Sequence, residues 1–150
     1  MARLEIIMGN MLSGKSSELI RRLRRHKVIG NEILVINSAK DTRNPDAVCQ
    51  THDKTTFDCI KTNTFADVNV DPADVIAVDE CQFFSNLRDF VQTCLDRNKH
   101  VILAGLDGDY MQQTFGEMLT LVPLADEVVK LSALCMVCMD GTPGPFTRRT

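Results

Sequence analysis

Gly9, Asn10, Met11, Leu12, Ser13, Gly14, Lys15 and Ser16 follow the pattern G-x-x-x-x-G-K-[ST]. They stand directly after an apolar run and directly before a helical pattern, the context in which that spacing has a mechanism. Glycines let the backbone curl so that successive N–H groups aim at phosphate oxygens, and the following helix presents its positive end to the same anion. Lys15 then reaches the β and γ phosphates of a nucleoside triphosphate. Ser16 offers a hydroxyl to Mg²⁺, an ion that keeps most of its octahedral shell as water and phosphate oxygen.

A loop of this kind needs a carboxylate delivered by a second strand, and the run Val75 to Asp79 ends in one with Glu80 beside it. Asp79 is expected to hold the magnesium through water. Neighbouring residues on a strand point in opposite directions, so Glu80 need not share the ion. It can take a proton from an attacking hydroxyl, whether of water or of an acceptor molecule. A solvated acid at a strand end is the plainer reading of Glu80, and both stay open. Asn98, Lys99, His100 and Val101 superficially match the guanine-reading N-K-x-D pattern, but Val101 stands where the carboxylate is required. ATP is the favoured nucleotide.

Cys135 and Cys138 have the C-x-x-C spacing of half a tetrahedral zinc site, which wants four ligands for closure. Cys49, Cys59, Cys81 and Cys94 carry no such spacing and read as buried thiols, with Cys49 or Cys59 able to contribute to the metal only across the fold. His26, His52 and His100 show no spacing that completes the pair. With no Trp, one Tyr and seven Phe, Tyr110 and the phenylalanines are the only aromatic surfaces that can stack on a base.

Elements that position these groups follow from the apolar pattern. Leu4 to Met8, Ile33 to Asn37, Val75 to Asp79, Val101 to Gly105 and Val128 to Leu131 are nearly continuous runs, as strands buried on both faces should be. A helix is predicted from Gly14 to about Ile29, with Leu19, Ile20 and Leu23 inward and Arg21, Arg22, Arg24 and Arg25 mostly on a solvated face. A second lies within Ser85 to Lys99, where Leu87, Phe90, Val91, Cys94 and Leu95 share one face. Strand and helix in alternation predict an α/β fold with a parallel sheet flanked by helices. The polar stretch Ser38 to Asp74 is a functional insert, with a hairpin expected over Val48 to Ile60 that turns near Asp53 and Lys54.

Length and charge agree with one soluble domain. The chain has 150 residues, enough for a single core that hides about 68 to 70 per cent of the unfolded surface. Its 17 basic and 20 acidic residues leave a net charge of -3, so no overall positive field is available for nucleic acid or an anionic membrane. The apolar start is too short for a signal h-region or a span, and a cytoplasmic protein is expected.

The loop Gly9 to Ser16, Lys40-Asp41-Thr42-Arg43, Thr51-His52-Asp53, Asp79-Glu80-Cys81-Gln82-Phe83-Phe84, Leu106-Asp107-Gly108 and Cys135-Met136-Val137-Cys138 occur in the order found in cellular-type (type II) thymidine kinases. The chain resembles that family over nearly its whole length. The resemblance implies a P-loop, RecA-like domain over residues 1–132 and the start of a zinc-binding subdomain over 133–150. It implies transfer of the ATP γ-phosphate to the 5′-hydroxyl of deoxythymidine, with Mg²⁺, a structural Zn²⁺ and a homo-oligomer, tetramer or dimer. Gly9 to Ser16 would then hold phosphates, with Asp41, Thr42, Arg43, Asp79, Glu80, Cys81 and Gln82 around the nucleotide. Glu80 would be the base, and Lys15 and Arg43 would stabilise the transferring group. Met11, Phe84, Leu106 and Tyr110 match positions lining the thymine pocket, Tyr110 standing where the family commonly has Phe; core packing is the alternative for Phe84.

In the family a second C-x-x-H or C-x-x-C follows a loop that closes over thymine. Residues Gly141 to Thr150 hold neither, so Cys135 and Cys138 are expected as a half site, with the ATP side better specified than the thymidine side. A P-loop ATPase acting on a macromolecule, and a non-catalytic ATP-binding subunit, are the alternatives.

Overall fold

The computed structural model describes residues 2–9, 15–38, 48–50, 56–58, 60–62, 64–66, 68–81, 84, 86–106, 118–131, 133–134 and 143–144. In chain order the elements are β1 (Arg3–Gly9), α1 (Lys15–Val28), β2 (Ile33–Ser38), β3 (Val48–Gln50), β4 (Thr56–Asp58), β5 (Ile60–Thr62), β6 (Val75–Asp79), α2 (Leu87–Asp96), β7 (His100–Leu106), a 3₁₀ segment (Met118–Leu124), β8 (Glu127–Leu131), β9 (Ala133–Leu134) and β10 (Pro143–Gly144). Six strands form one sheet in the order β5-β2-β6-β7-β1-β8, and every pairing in it is parallel. The expected α/β architecture is therefore observed.

Alternation along the strands splits the core into two faces. Ile7, Val35, Val75, Ala77, Ile102 and Ala104 meet Leu19, Ile20 and Leu23 of α1 on one side. Leu4, Ile6, Met8, Ile76, Val78, Val101 and Leu103 meet Leu87, Val91 and Cys94 of α2, with Leu121 from the 3₁₀ segment, on the other. Leu19, Ile20 and Leu23 point inward as their spacing predicts. Arg22 departs from that prediction: it is only 9% exposed, because carboxylates on β1, α1 and β8 converge on its guanidinium.

Both helices end the same way. Gly30 sits at φ 86, its N–H donates to the Lys27 carbonyl, and the Asn31 N–H donates to that of His26. This Schellman arrangement needs a left-handed residue after the last turn, which glycine adopts without strain. At the end of α2, Asn98 takes the left-handed position (φ 63), with its N–H on Leu95 and that of Lys99 on Cys94. The Asn98 to Val101 segment is thus a helix stop leading into β7.

The hairpin expected between Val48 and Ile60 is present as antiparallel β3 and β4, Val48 facing Asp58; its turn at Asp53 and Lys54 lies outside the described residues. Ile60 to Thr62, by contrast, joins the sheet as its edge strand β5, parallel to β2. β9 and β10 pair antiparallel in a two-stranded sheet of their own.

Candidate active site

A parallel sheet brings the carboxyl ends of its strands to one edge, and ligands of open α/β sheets bind outside that edge where the connections reverse direction. Here neighbours β2 and β6 send their connections apart, β2 out to the edge strand β5 and β6 across to β7, so the reversal falls beside the Asp79 end of β6. Gly9, the first residue of the phosphate-loop pattern, ends β1 opposite Leu106 at the end of β7. Lys15 opens α1 and is half-buried. Backbone at Ser16 is helical, so its amide belongs to the first turn.

The acids come from β6, on the far side of β7. Two strand spacings put the β1 and β6 ends about 10 Å apart, room for a phosphate group between them. Asp79, the last residue of β6, is 5% exposed and Glu80 8%. Burial of Glu80 argues against the solvated-acid reading of it. Asp79 Oδ1 accepts the N–H of Glu80 at 2.9 Å, and Glu80 is held left-handed at φ 52. That conformation costs a non-glycine residue roughly 1–2 kcal/mol, and it redirects the chain sharply at the strand end.

Cys81 reports on the charges around it. Burial pushes its thiol far above the ordinary range, and the Asp79 and Glu80 carboxylates push it further, while the Lys15 ammonium pulls it back. The buried sulfur thus lies within electrostatic reach of the loop lysine and both acids. Asn37, 3% exposed, stands beside Asp79 across the β2–β6 register. Sequence reasoning passed over it, although a polar residue closing an apolar strand was its signal.

Phe84 is 3% exposed in the α2-side core, its ring stacked on Phe65 at 4.5 Å. Phe65 stacks in turn on Phe90 at 3.9 Å. Core packing thus accounts for the placement of Phe84. Leu106 ends β7 at the carboxyl edge. Asn10, Met11, Leu12, Ser13, Gly14, Asp41, Thr42, Arg43, Gln82, Tyr110, Cys135 and Cys138 lie outside the described residues.

Comparison with known proteins agrees with the geometry. The family model described as thymidine kinase matches residues 2–149. The chain is 44% identical over 138 residues to the cytosolic thymidine kinase of Cricetulus griseus and 43% identical over 138 residues to that of Homo sapiens. Each alignment covers 91% of this chain and 58% of the relative, so the chain spans rather more than half the length of these proteins. It is 42% identical over 137 residues to the thymidine kinase of Yaba monkey tumor virus, covering 90% of this chain and 75% of the viral one. With a parallel sheet that carries a phosphate-loop lysine and paired acids to one edge, and a family match over almost every residue, the chain belongs to the thymidine kinase family.

Proposed function

We propose that this chain carries the phosphoryl-transfer centre of a thymidine kinase, moving the γ-phosphate of ATP to the 5′-hydroxyl of deoxythymidine to give dTMP. The observation that supports this most is that Gly9, at the end of β1, and the buried Asp79 and Glu80, at the end of β6, reach the same carboxyl edge of the sheet, with Lys15 opening the helix that follows β1. Phosphoryl transfer needs little covalent help from protein; it needs alignment and compensation of charge on the moving group.

The backbone from Gly9 to Ser16 cradles the phosphates. Lys15 neutralises charge on the β and γ oxygens, and Arg43, with Asp41 and Thr42, approaches from the polar insert. Glu80 accepts the proton of the 5′-hydroxyl as it attacks, with its direction fixed by the left-handed turn. Cys81 and Gln82 complete the set around the nucleotide. Met11, Phe84, Leu106 and Tyr110 line the side that takes the thymine ring.

Asp79 and the Ser16 hydroxyl are the oxygen donors a magnesium ion takes, and Asp79 is a buried carboxylate at the right strand end. Bound there, magnesium supplies charge neutralisation across the β and γ phosphates. Cys135 and Cys138 are thiolate donors suited to zinc, in a subdomain over 133–150 that follows the kinase domain of 1–132. We also assign a homo-oligomer and a cytoplasmic location. Among the described residues no helix is long and apolar enough to cross a membrane.

The test is product formation from ATP, Mg²⁺ and labelled thymidine, run beside Lys15→Ala. Thymidine monophosphate from the unaltered chain and none from the variant is the expected result. Hydrolysis of ATP independent of thymidine points instead to an ATPase, and tight ATP binding without turnover of either kind to a nucleotide-binding subunit.

A further inference from the structure

At the opposite, amino-terminal end of the sheet, Glu5, His26 and His100 bring one ligand atom each to within 4.8 Å of one another. We infer that these three side chains form a second, divalent transition-metal site of the zinc class, with two imidazoles and one carboxylate as ligands and a fourth position open to water.

Each group is placed by a separate local rule. Glu5 points from β1 to the α1 face and is 7% exposed. His26 lies in the last turn of α1, where the Schellman stop folds Asn31 back so that its Nδ2 meets His26 Nδ1 at 3.0 Å. That leaves Nε2 for an ion once the Asn31 amide turns to accept a proton on Nδ1. His100 opens β7 directly after the Asn98 stop of α2, and its Nε2 contacts Glu5 Oε2. The two rings meet edge to face with centroids 4.6 Å apart.

Distances suit the chemistry. Tetrahedral zinc with bonds of about 2.0–2.2 Å needs ligand atoms roughly 3.4 Å apart; the three atoms lie within 4.8 Å of one another, and the His100–Glu5 contact opens to admit the ion. The ion takes the place of the proton between His100 Nε2 and Glu5 Oε2, and that proton leaves to solvent. Glu5 Oε1 keeps its contact with Arg22 Nη1 at 2.5 Å, the kind of outer partner that fixes a ligating carboxylate. Arg3 Nε, 3.6 Å from Oε2, is displaced. His26 is held below the ordinary histidine range by burial and by His100, against the pull of Glu5. An open cavity of about 310 Å³, bordered by Asn31, Asp74, Asn98, Lys99 and His100, adjoins the site on its His100 side.

The chain contains three histidines, which makes the test site-specific. Imidazole resonances of the full chain are followed while zinc is added alone, in the unaltered protein and in a Cys135→Ser/Cys138→Ser variant that removes the thiolate pair. The expected result is that His26 and His100 resonances shift together while those of His52 do not. At about a hundredfold excess over the dissociation constant, the unfolding midpoint rises by several degrees. Glu5→Gln should weaken zinc binding by about 10- to 100-fold. Unmoved His26 and His100 resonances in the unaltered chain overturn the site whatever the variants do, as does a Glu5→Gln variant that folds and binds zinc equally well.

Discussion

The two ends of the sheet treat buried charge in opposite ways. At the carboxyl end Asp79 and Glu80 lie side by side in the same polarity, with Lys15 as the nearby cation. At the amino end opposite charges are interleaved: Arg22 meets Glu5, Glu18 and Glu127 at 2.5, 2.9 and 2.8 Å. Arg21 also meets Glu18 at 2.5 Å, and Arg3 meets Glu127 at 3.4 Å. At one end like charges are set side by side; at the other each charge has an opposite partner, and the proposed metal replaces only the proton shared by Glu5 and His100. Among the described residues no buried side-chain nitrogen or oxygen lacks a hydrogen-bond partner. The contrast teaches that the same degree of burial serves two kinds of charge arrangement, like charges at the carboxyl end and paired opposite charges at the amino end.

That contrast breaks most sharply under single substitutions at each end. Glu80→Gln removes the base while keeping shape, and thymidine monophosphate formation should fall roughly 10²- to 10⁴-fold with an unchanged denaturation midpoint. Arg22→Met should do the reverse. Leaving Glu5 buried beside a missing partner costs about 3–5 kcal/mol, read as a melting temperature lower by about 10 °C or more, while turnover measured well below that temperature persists. Exposed Arg25→Ala should stay within about 0.5 kcal/mol of the parent. Equal stability of the Arg22 and Arg25 variants would remove the structural role given to the amino end.

A smaller effect separates strain from charge. Glu80→Gly relieves the left-handed conformation and should stabilise the fold by about 1 kcal/mol in urea denaturation, while product formation is lost. A destabilised glycine variant would mean that Glu80 contributes packing rather than strain.

The smallest and most gradual effect is on pH. Burial raises the Glu5 carboxyl, but His100 and Arg22 outweigh it and the net direction is downward. Arg21 draws Glu18 down to about 2, with Arg22 assisting against burial. A carboxyl lowered by folding contributes stability that is complete above its unfolded value near 4.5 and is lost as protons bind the folded form. His26, lowered mainly by burial, adds a loss of the same sign that starts below its ordinary 6.5. Stability should therefore decline gently below about pH 6.5 and more steeply from about 4.5 to 2. In Arg22→Met the lower limb should flatten, because Glu5 and Glu18 lose their common partner; an unchanged limb assigns it to other carboxyls.

Much of this organisation could be read from residue order. The span Val75 to Asp79 is the observed β6, and the runs predicting β1, β2 and β7 fall within the strands seen, because strands covered on both faces leave an unbroken apolar signature. α1 and α2 followed from their apolar stripes, and α2 begins two residues later and ends three earlier than the predicted Ser85 to Lys99, at Leu87 and Asp96. What escaped was tertiary. Ile60 to Thr62 is too short and polar to announce itself, and becomes β5 only through its pairing with β2. The strand order has no local signal at all. Arg22 looked solvated because its partners Glu5 and Glu127 come from 17 and 105 residues away. Glu5 itself, a charge inside an otherwise apolar strand, was the visible clue to that network. Of the proposed site, the loop pattern and the acids stood out by their spacing in the sequence, while the placing of Asn37 beside Asp79 required the register.

β7 is the one strand that touches both β1 and β6, and it ends in small, fully covered residues, Ala104 and Gly105. It works as a gauge block, setting the width of the slot between two halves that share no hydrogen bond of their own. Each half is thereby free to drift in sequence independently of the other, but bulk added to the block at Ala104 would press on α1 and mis-size the slot from within, with every catalytic side chain still in place.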